Sequence, residues 1–336
     1  MPWIYRRLEE EGVPAGRMAE RARRRELELI EPLMAGDEAG VFGRAAGEGV
    51  KRLPSDAYWG GLRSWGIRRF DATREEYHRA VDEIYRRRRM ARHAADEGVE
   101  ERLGTVTWHP ELPPAPPDLH ENATFALGLE EAEFLRDRIG AEHPSALLAW
   151  LAFRPKRTAV RYPWEHPRAP EMEDEHLEIL HHARLFSEVM YGAPILYNLM
   201  LSEELGHADW VDDHRRRFTD WLAELDREAI ARWDLPGLFD TARAQRRYRV
   251  TPPTEDFVRR WVALVRDDPG GIPERADARA LVRRREILLK GARSLFRNRR
   301  ALEERYGGSL GLVRLDFRWS NVQVLLKDLH DVLEGG

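Results

Sequence analysis

The chain has 336 residues, of which 42% are hydrophobic and 34% charged, and its formal net charge is −4. This length suits one large domain or two of ordinary size, and the absence of cysteine excludes disulfides, thiolate nucleophiles and Cys-ligated metal sites. No apolar stretch is long enough for a transmembrane helix, and the first residues lack a secretory signal core, so the composition predicts a cytoplasmic protein without a membrane partner.

The first hundred residues predict charged amphipathic helices. Residues 16–34 and 72–93 have helical periodicity, and Asp71 is a candidate N-cap for the second of these helices. Three glycines at positions 60, 61 and 66 predict short helices and turns in between.

Residues 104–125 contain five prolines and predict a connector without helix. Its PPAPP stretch fits either a ligand for an aromatic groove or an ordered structural arm. The arm is the favoured interpretation, because proline-rich connectors are common. TVTW, residues 105–108, predicts one short strand.

Helical patterns return after the connector, and Gly192 and Pro194 are predicted to end one helix and begin the next. Residues 311–319 alternate enough to predict a second short strand. The sequence therefore predicts a mainly α, bundle-like fold of two packed helical parts with at most a small strand pair. Its predicted divisions are 1–103, the connector 104–125, and a C-terminal helical domain at 126–336. The predicted helices after the connector are 128–141, 145–153, 171–191, 194–206, 209–233, 254–267, 276–304 and 320–333.

Two Glu-x-x-His pairs, Glu178/His181 and Glu204/His207, are of the kind that ligate carboxylate-bridged di-iron centres in helical bundles. On an antiparallel hairpin the two pairs would face each other. Helical phase nevertheless places His181 about 200° from Ile179 in the apolar stripe, and a di-iron site needs carboxylates from two further helices. We therefore expect no metal and no cofactor, and these four residues are the only metal candidates.

The segment GGSLG, residues 307–311, matches a nucleophile-elbow pattern formally, but a helix rather than a strand precedes it, which favours a simple turn. Phosphate-binding loop, zincin and dinucleotide-binding motifs are absent from the sequence. No catalytic residue can be assigned on this basis.

Arginine accounts for nearly all of the basic residues, which codon bias explains most simply. Residues 241–300 nevertheless hold 16 arginines and one lysine against seven acidic residues, a net charge of +10. The rest of the chain therefore carries a net charge of −14. Leucines at 281, 288, 295 and 302 repeat every seven residues and predict an inward stripe. Leu288→Ala is accordingly expected to cost about 2–5 kcal/mol.

The basic residues of this predicted helix fall on its other faces, as contact with a phosphate backbone requires. A solvated face that balances acidic stretches elsewhere is the alternative, and it is the commoner role of charge runs. The candidate anion-binding residues are Arg279, Arg283, Lys290, Arg293, Arg297 and Arg300.

Four segments, PWIYRRLE (2–9), LEEAEFLRDRI (129–139), YGAPILYNLMLSEE (191–204) and LDFRWSNVQVLL (315–326), together resemble an uncharacterised bacterial family defined by a domain of unknown function. The resemblance runs along the whole chain. It implies an association with phage-defence gene neighbourhoods, transfers no catalytic residue, and implies that members begin upstream of the PWIYRRLE segment.

These observations predict a non-catalytic accessory protein that associates with nucleic acid or with protein partners in a multi-component defence system. Two alternatives stay open. One is a hydrolytic or metal-dependent enzyme whose site is assembled from dispersed His, Glu and Asp residues. The other is a pure protein-binding scaffold.

Overall fold

The computed structural model describes residues 1–36, 40–96, 106–156, 158–244 and 250–335, and this described part is all-α. It contains no strand; an isolated antiparallel bridge joins Arg68 and Trp108. The mainly α prediction is therefore confirmed. None of the helices described has the length and apolar character needed to cross a membrane.

The chain divides into two compact units, a first unit of Met1–Arg157 with Val324–Gly336 and a second unit of Thr158–Gln323. The divisions predicted from the sequence, 1–103, 104–125 and 126–336, stay a prediction.

The first unit begins with helices that bury a largely aromatic core around Tyr5, Tyr77 and Trp108. Its helices are α1 (Pro2–Glu10), α2 (Ala15–Leu27), α3 (Ile30–Ala35), α4 (Pro54–Ser64), α5 (Arg74–Asp96), α6 (Leu129–Glu142) and α7 (Leu147–Ala152). The single helix expected at 16–34 is thus divided into α2 and α3.

The N-cap of α5 is Thr73, not Asp71 as predicted. The Thr73 hydroxyl accepts the backbone N–H of Glu76 at 3.2 Å, and the Glu76 carboxylate accepts the backbone N–H of Thr73 at 2.8 Å. This reciprocal pair is a capping box, which satisfies two otherwise unpaired donors. Asp71 instead pairs with Arg63 at 3.0 Å.

The described part of the connector lies along α1. The Trp3 indole N–H donates to the carbonyl oxygen of Pro113 at 2.8 Å, and Arg6 donates to that of Leu112 at 3.1 Å. Leu112 itself is buried in the first core. From residue 106 onward the predicted strand at 105–108 contributes only the bridge of Trp108, and residue 105 lies outside the described residues.

The second unit packs its helices around a core that includes Leu185, Leu199, Trp221 and Trp261. Its helices are α8 (Asp174–Leu205), α9 (Ala208–Glu224), α10 (Arg227–Arg232), α11 (Leu235–Ala244), α12 (Pro252–Asp267), α13 (Ala276–Lys290), α14 (Arg299–Arg305) and the start of α15 (Trp319–Gly335).

One helix, α8, replaces the hairpin predicted at 171–191 and 194–206, so that prediction was wrong. Gly192 does not end a helix. A Cβ atom at this position would lie 2.4 Å from the ring of Trp221, so the glycine allows an indole to pack against the helix backbone.

Pro194 lies inside α8, where it supplies no backbone N–H. The turn before it is held from outside the helix. The indole N–H groups of Trp221 and Trp261 donate to the carbonyl oxygens of Glu188 and Val189, at 2.7 and 2.8 Å. The helix thus continues through a residue that normally interrupts it, and two indoles bind the turn before that residue.

The helix predicted at 276–304 is interrupted instead of continuous. A short 3-10 turn follows α13, and Gly291 has a φ of 54°. The buried Glu286 carboxylate accepts the backbone N–H of Leu295 at 2.9 Å and the hydroxyl of Ser294. Because a carboxylate within α13 binds the chain just beyond it, the chain turns there.

The interruption breaks the predicted leucine stripe. Leu281, Leu295 and Leu302 are buried, whereas 63% of Leu288 is exposed. The prediction that Leu288 is buried was therefore wrong. The loss of about 2–5 kcal/mol expected for Leu288→Ala is no longer expected, because it assumed a buried side chain.

Residues 311–319 form no strand, contrary to prediction. The residue before this segment and its middle residue bind side chains of α8. Asn198 exchanges two hydrogen bonds with the backbone of Leu310, at 2.7 and 2.9 Å, and the Ser187 hydroxyl donates to the carbonyl oxygen of Leu315 at 2.7 Å. Helix side chains thus form hydrogen bonds with backbone groups that would pair with another strand in a β-sheet.

Candidate functional site

The two Glu-x-x-His pairs lie at opposite ends of α8, with His207 just beyond its last residue. At 1.5 Å per residue, 26 residues of helix separate the pairs by roughly 39 Å. They cannot share one ion. Glu204 pairs instead with Arg283, and His207 stacks on Trp210 with ring centres 4.0 Å apart. In the described ranges no group of three or more His, Asp or Glu side chains is placed to hold a metal.

Two of the predicted anion-binding arginines are held by the end of α8. Arg279 forms an ion pair with Glu203, and Arg283 forms one with Glu204. The Arg283 guanidinium also lies over the ring of Phe296, 4.3 Å from its centre. Both cations are therefore engaged within the protein.

Two further candidates are also paired. The Lys290 ammonium lies 3.5 Å from the Glu286 carboxylate and 5.3 Å from the centre of the Tyr197 ring. Arg300, although 87% of its side chain is exposed, pairs with Glu304 at 2.7 Å.

The remaining candidates, Arg293 and Arg297, are exposed and form no ion pair with a carboxylate of the described residues. Arg284 on α13 has the same two properties, and the sequence interpretation missed it. We call these three arginines, Arg284, Arg293 and Arg297, which are close in sequence, the arginine patch.

Arg284 was hard to find because it stands in a run of three arginines with the same local sequence. Its neighbours differ only in tertiary contacts. Arg283 meets Glu204, and Arg285 donates to the Thr254 hydroxyl at 3.0 Å. No feature of the local sequence distinguishes Arg284 from Arg283 and Arg285.

Most other basic residues of the block 241–300 are compensated. Arg266 donates to the backbone carbonyl oxygens of Ile230 and Trp233, at 3.0 and 2.6 Å. Arg246, Arg247 and Arg249 lie outside the described residues. The arginines of the block that pair with carboxylates, besides those above, are Arg243, Arg259, Arg260, Arg275 and Arg299.

A second cluster in the same unit joins aromatic rings to guanidinium groups. The rings of Tyr162 and Trp164 are stacked, 4.7 Å apart and inclined by 8°, and Phe317 meets Trp164 edge-on at 6.3 Å. The guanidinium carbons of Arg161 and Arg314 lie 5.2 and 5.9 Å from the centre of the Tyr162 ring. We call Tyr162, Trp164 and Phe317 the aromatic stack.

The backbone at one side of this stack is strained. Phe317 and Arg318 have φ angles of 54° and 62°, in the left-handed region that bulky residues rarely adopt. Asp316 holds this turn: its carboxylate accepts the backbone N–H of Arg318 at 2.9 Å, and its carbonyl oxygen accepts that of Trp319 at 2.9 Å.

Glu188 of α8 is half-buried. Burial raises its pKa, while the guanidinium groups of Arg184 and Arg314 act in the opposite direction. Arg184 lies 3.8 Å from the Glu188 carboxylate, and Arg314 pairs with Glu224 at 3.0 Å. The local charges thus compensate one another.

The first unit contains two concavities that bear on the enzyme alternative. The smaller, about 620 Å³, includes Glu9. The Glu9 carboxylate accepts Arg88 at 2.6 Å, Thr107 at 2.7 Å, the Trp108 indole at 3.0 Å and the Tyr77 hydroxyl. Because each of its oxygens has two donors, Glu9 acts as a structural acceptor and not as a free base.

The larger concavity, about 1160 Å³, mixes both charges with apolar side chains. Its glutamates are partly engaged by its own arginines; Glu28, for example, pairs with Arg24 at 3.0 Å and Arg25 at 3.1 Å. Its charged lining residues are Arg7, Glu20, Arg23, Arg24, Arg25, Glu28 and Glu31. Neither concavity brings together a nucleophile and a base with roles that can be named.

The described residues thus define an all-α protein with an exposed arginine patch and an aromatic stack on its second unit. The chain belongs to the family of unknown function DUF6361, whose family model matches residues 1–333. No curated protein and no solved structure matches the chain. The expected membership of a whole-chain domain-of-unknown-function family is confirmed, and the association with bacterial phage defence stays a prediction.

Proposed function

We propose that this protein is a non-catalytic accessory protein that binds nucleic acid through the arginine patch. The observation that carries the proposal is the contrast between Arg284, Arg293 and Arg297, which are exposed without a carboxylate partner among the described residues, and their neighbours, which are paired. A free guanidinium binds a phosphate without first breaking an internal ion pair.

Such binding would depend mainly on the phosphate backbone. The sequence contains no recognisable base-reading motif, so preference among base sequences should be slight. The resemblance to a defence-associated family suggests a setting in the bacterial cytoplasm, in a multi-component defence system.

A protein partner is the second candidate, and one observation favours it. Leu288 and Leu289 are 63% and 62% exposed on the helix that carries Arg284. Exposed leucines beside free arginines suit a protein surface that is both apolar and acidic.

The test compares two triple variants that remove the same charge. Arg284, Arg293 and Arg297 are replaced together by Gln, and the matched control replaces Arg216, Arg232 and Arg260. The control arginines are also exposed, at 68%, 73% and 60%, but each pairs with a carboxylate of its own helix. Fluorescence anisotropy is measured at low salt on duplex DNA, single-stranded DNA and RNA.

We expect the wild type and the control to bind and the patch variant to bind at least tenfold more weakly, because it loses three phosphate contacts. An equal loss of affinity in the patch variant and the control would mean that binding depends on net charge alone. If no nucleic acid binds, but a copurifying protein is released by joint Leu288→Ser and Leu289→Ser substitution, the second candidate is the correct one.

A further inference from the structure

We propose that the aromatic stack of the second unit is a stacking site for an unpaired nucleobase, so that the preferred ligand is single-stranded. This inference rests on the proposed function and specifies its ligand. Base stacking contributes to binding separately from the arginine patch, because the rings contact the base and the arginines contact the phosphates.

The ring geometry supports this role. Tyr162 is buried and covers one face of Trp164 at an inclination of 8°, which fixes the Trp164 plane. Trp164 is half-buried, and 47% of Phe317 is exposed. Ring surface therefore remains accessible beside Trp164, and the exposed Phe317 ring is the surface on which a base would stack.

The charges around the stack suit a nucleic acid strand. Arg161 and Arg318 are exposed and pair with none of the carboxylates that the structure describes. The nearest acidic residues in sequence already accept backbone N–H groups: Glu165 accepts that of Tyr162 at 3.2 Å, and Asp316 accepts that of Arg318. Arg161 thus adds a cation without a carboxylate partner beside Tyr162, and Arg318 adds a second one next to Phe317 in the chain. Cations close to aromatic rings are the combination that single-strand-binding proteins use.

Backbone strain is an independent indication. Two consecutive left-handed residues are costly, and a surface shaped only by folding would place glycine at such positions. The chain instead has Phe317 and Arg318 there, an exposed aromatic ring and an exposed cation. Strain of this kind is concentrated at functional sites, which favours a ligand for these two side chains.

The experiment separates the contribution of the bases to binding from that of the phosphates. Anisotropy titrations use a single-stranded DNA and a strand of the same length in which abasic sites replace the bases, so that the phosphate charge is unchanged. We expect the wild type to bind the base-bearing strand about tenfold or more tightly than the abasic strand, as one or two stacked bases would provide.

Phe317→Leu should remove most of this ratio, whereas Phe317→Tyr, which retains the ring, should preserve it. Phe125→Leu is the matched control, since Phe125 is 51% exposed and belongs to the first unit. Thermal melting of each variant shows whether it folds. Loss of the ratio in Phe317→Tyr or in the control would contradict a stacking role for Phe317.

The possible failures are distinguishable. The arginine-patch variant should weaken binding of both strands and leave their ratio unchanged. Equal wild-type affinity for the two strands overturns the stacking site but leaves the proposed function in place. Failure of the wild type to bind either strand overturns both proposals.

Discussion

His78 lies in the aromatic core of the first unit, where its ring stacks on Tyr5 with centres 5.8 Å apart. Burial, assisted by the neighbouring Arg74, lowers the pKa of His78 from 6.5 to about 4. At a pH between about 4 and 6.5, the His78 imidazole is protonated in the unfolded chain and neutral in the folded chain. The stability contributed by neutral His78 is therefore complete above about pH 6.5 and is lost as the pH falls towards 4.

His78→Gln should therefore weaken the loss of stability on acidification. We expect the urea midpoint to fall less between about pH 7 and pH 5 in the variant than in the wild type, even if removal of the stacked ring lowers both values. Burial also lowers the pKa of His109 and His214, so part of the dependence remains. His207→Gln, at an exposed position, is the control. If the urea midpoint falls equally in His78→Gln and in the wild type, the assignment of this pH dependence to His78 is wrong.

At the scale of the helix, α8 depends on the close approach of Trp221 to Gly192. Gly192→Ala should lower the free energy of unfolding by about 1–3 kcal/mol, as overpacking of a tight core does. The new Cβ would lie 2.4 Å from the Trp221 ring, which is almost fully buried. This clash should outweigh the roughly 1 kcal/mol that alanine gains over glycine within a helix.

Gly60→Ala in α4 is the matched control, because nothing lies within 4 Å of a Cβ atom there. It should raise the free energy of unfolding by about 0.5–1 kcal/mol. Urea denaturation followed by circular dichroism measures both variants. A stabilised Gly192→Ala variant would show that Trp221 does not pack as closely as described.

Periodicity predicted most helices of this chain, because the apolar face of a helix repeats in the local sequence. It failed where residues distant in sequence decide the local structure. Trp221 and Trp261 bind backbone carbonyl oxygens of α8 in the turn before Pro194, and Asn198 binds the loop at Leu310. Local propensity predicted the opposite at each place, since tertiary contacts were not visible in it.

The candidate site could be predicted only in part for the same reason. The sequence located the basic region and two members of the arginine patch. It could not distinguish Arg283 from Arg284, because the partner of Arg283 is Glu204, on a different helix. Phe317 was missed because its exposure follows from a left-handed backbone conformation that an alternating pattern does not reveal.

At the scale of the whole molecule, many cations of the basic block are engaged in ion pairs within the protein. The block 241–300 carries a net charge of +10, but its neighbours on α8 and its own carboxylates engage many of its cations. Among the described residues of this block, the number of cations available for phosphate contacts should therefore be close to the three of the arginine patch, not to the formal charge.

This count predicts the salt dependence of binding. Each phosphate neutralised on duplex DNA contributes roughly −0.9 to the log–log slope of affinity against salt, so three contacts give about −2.7; on a single strand, at roughly −0.7 each, they give about −2. Replacing Arg284, Arg293 and Arg297 by Gln should therefore make the slope shallower by about 2.7 on duplex DNA and by about 2 on a single strand, whereas the Arg216, Arg232 and Arg260 control should keep it. Anisotropy titrations over a series of salt concentrations measure both slopes. A wild-type slope several times steeper would mean that binding breaks the internal ion pairs and recruits the whole basic block, because paired arginines contribute to the slope only after they exchange a carboxylate for a phosphate.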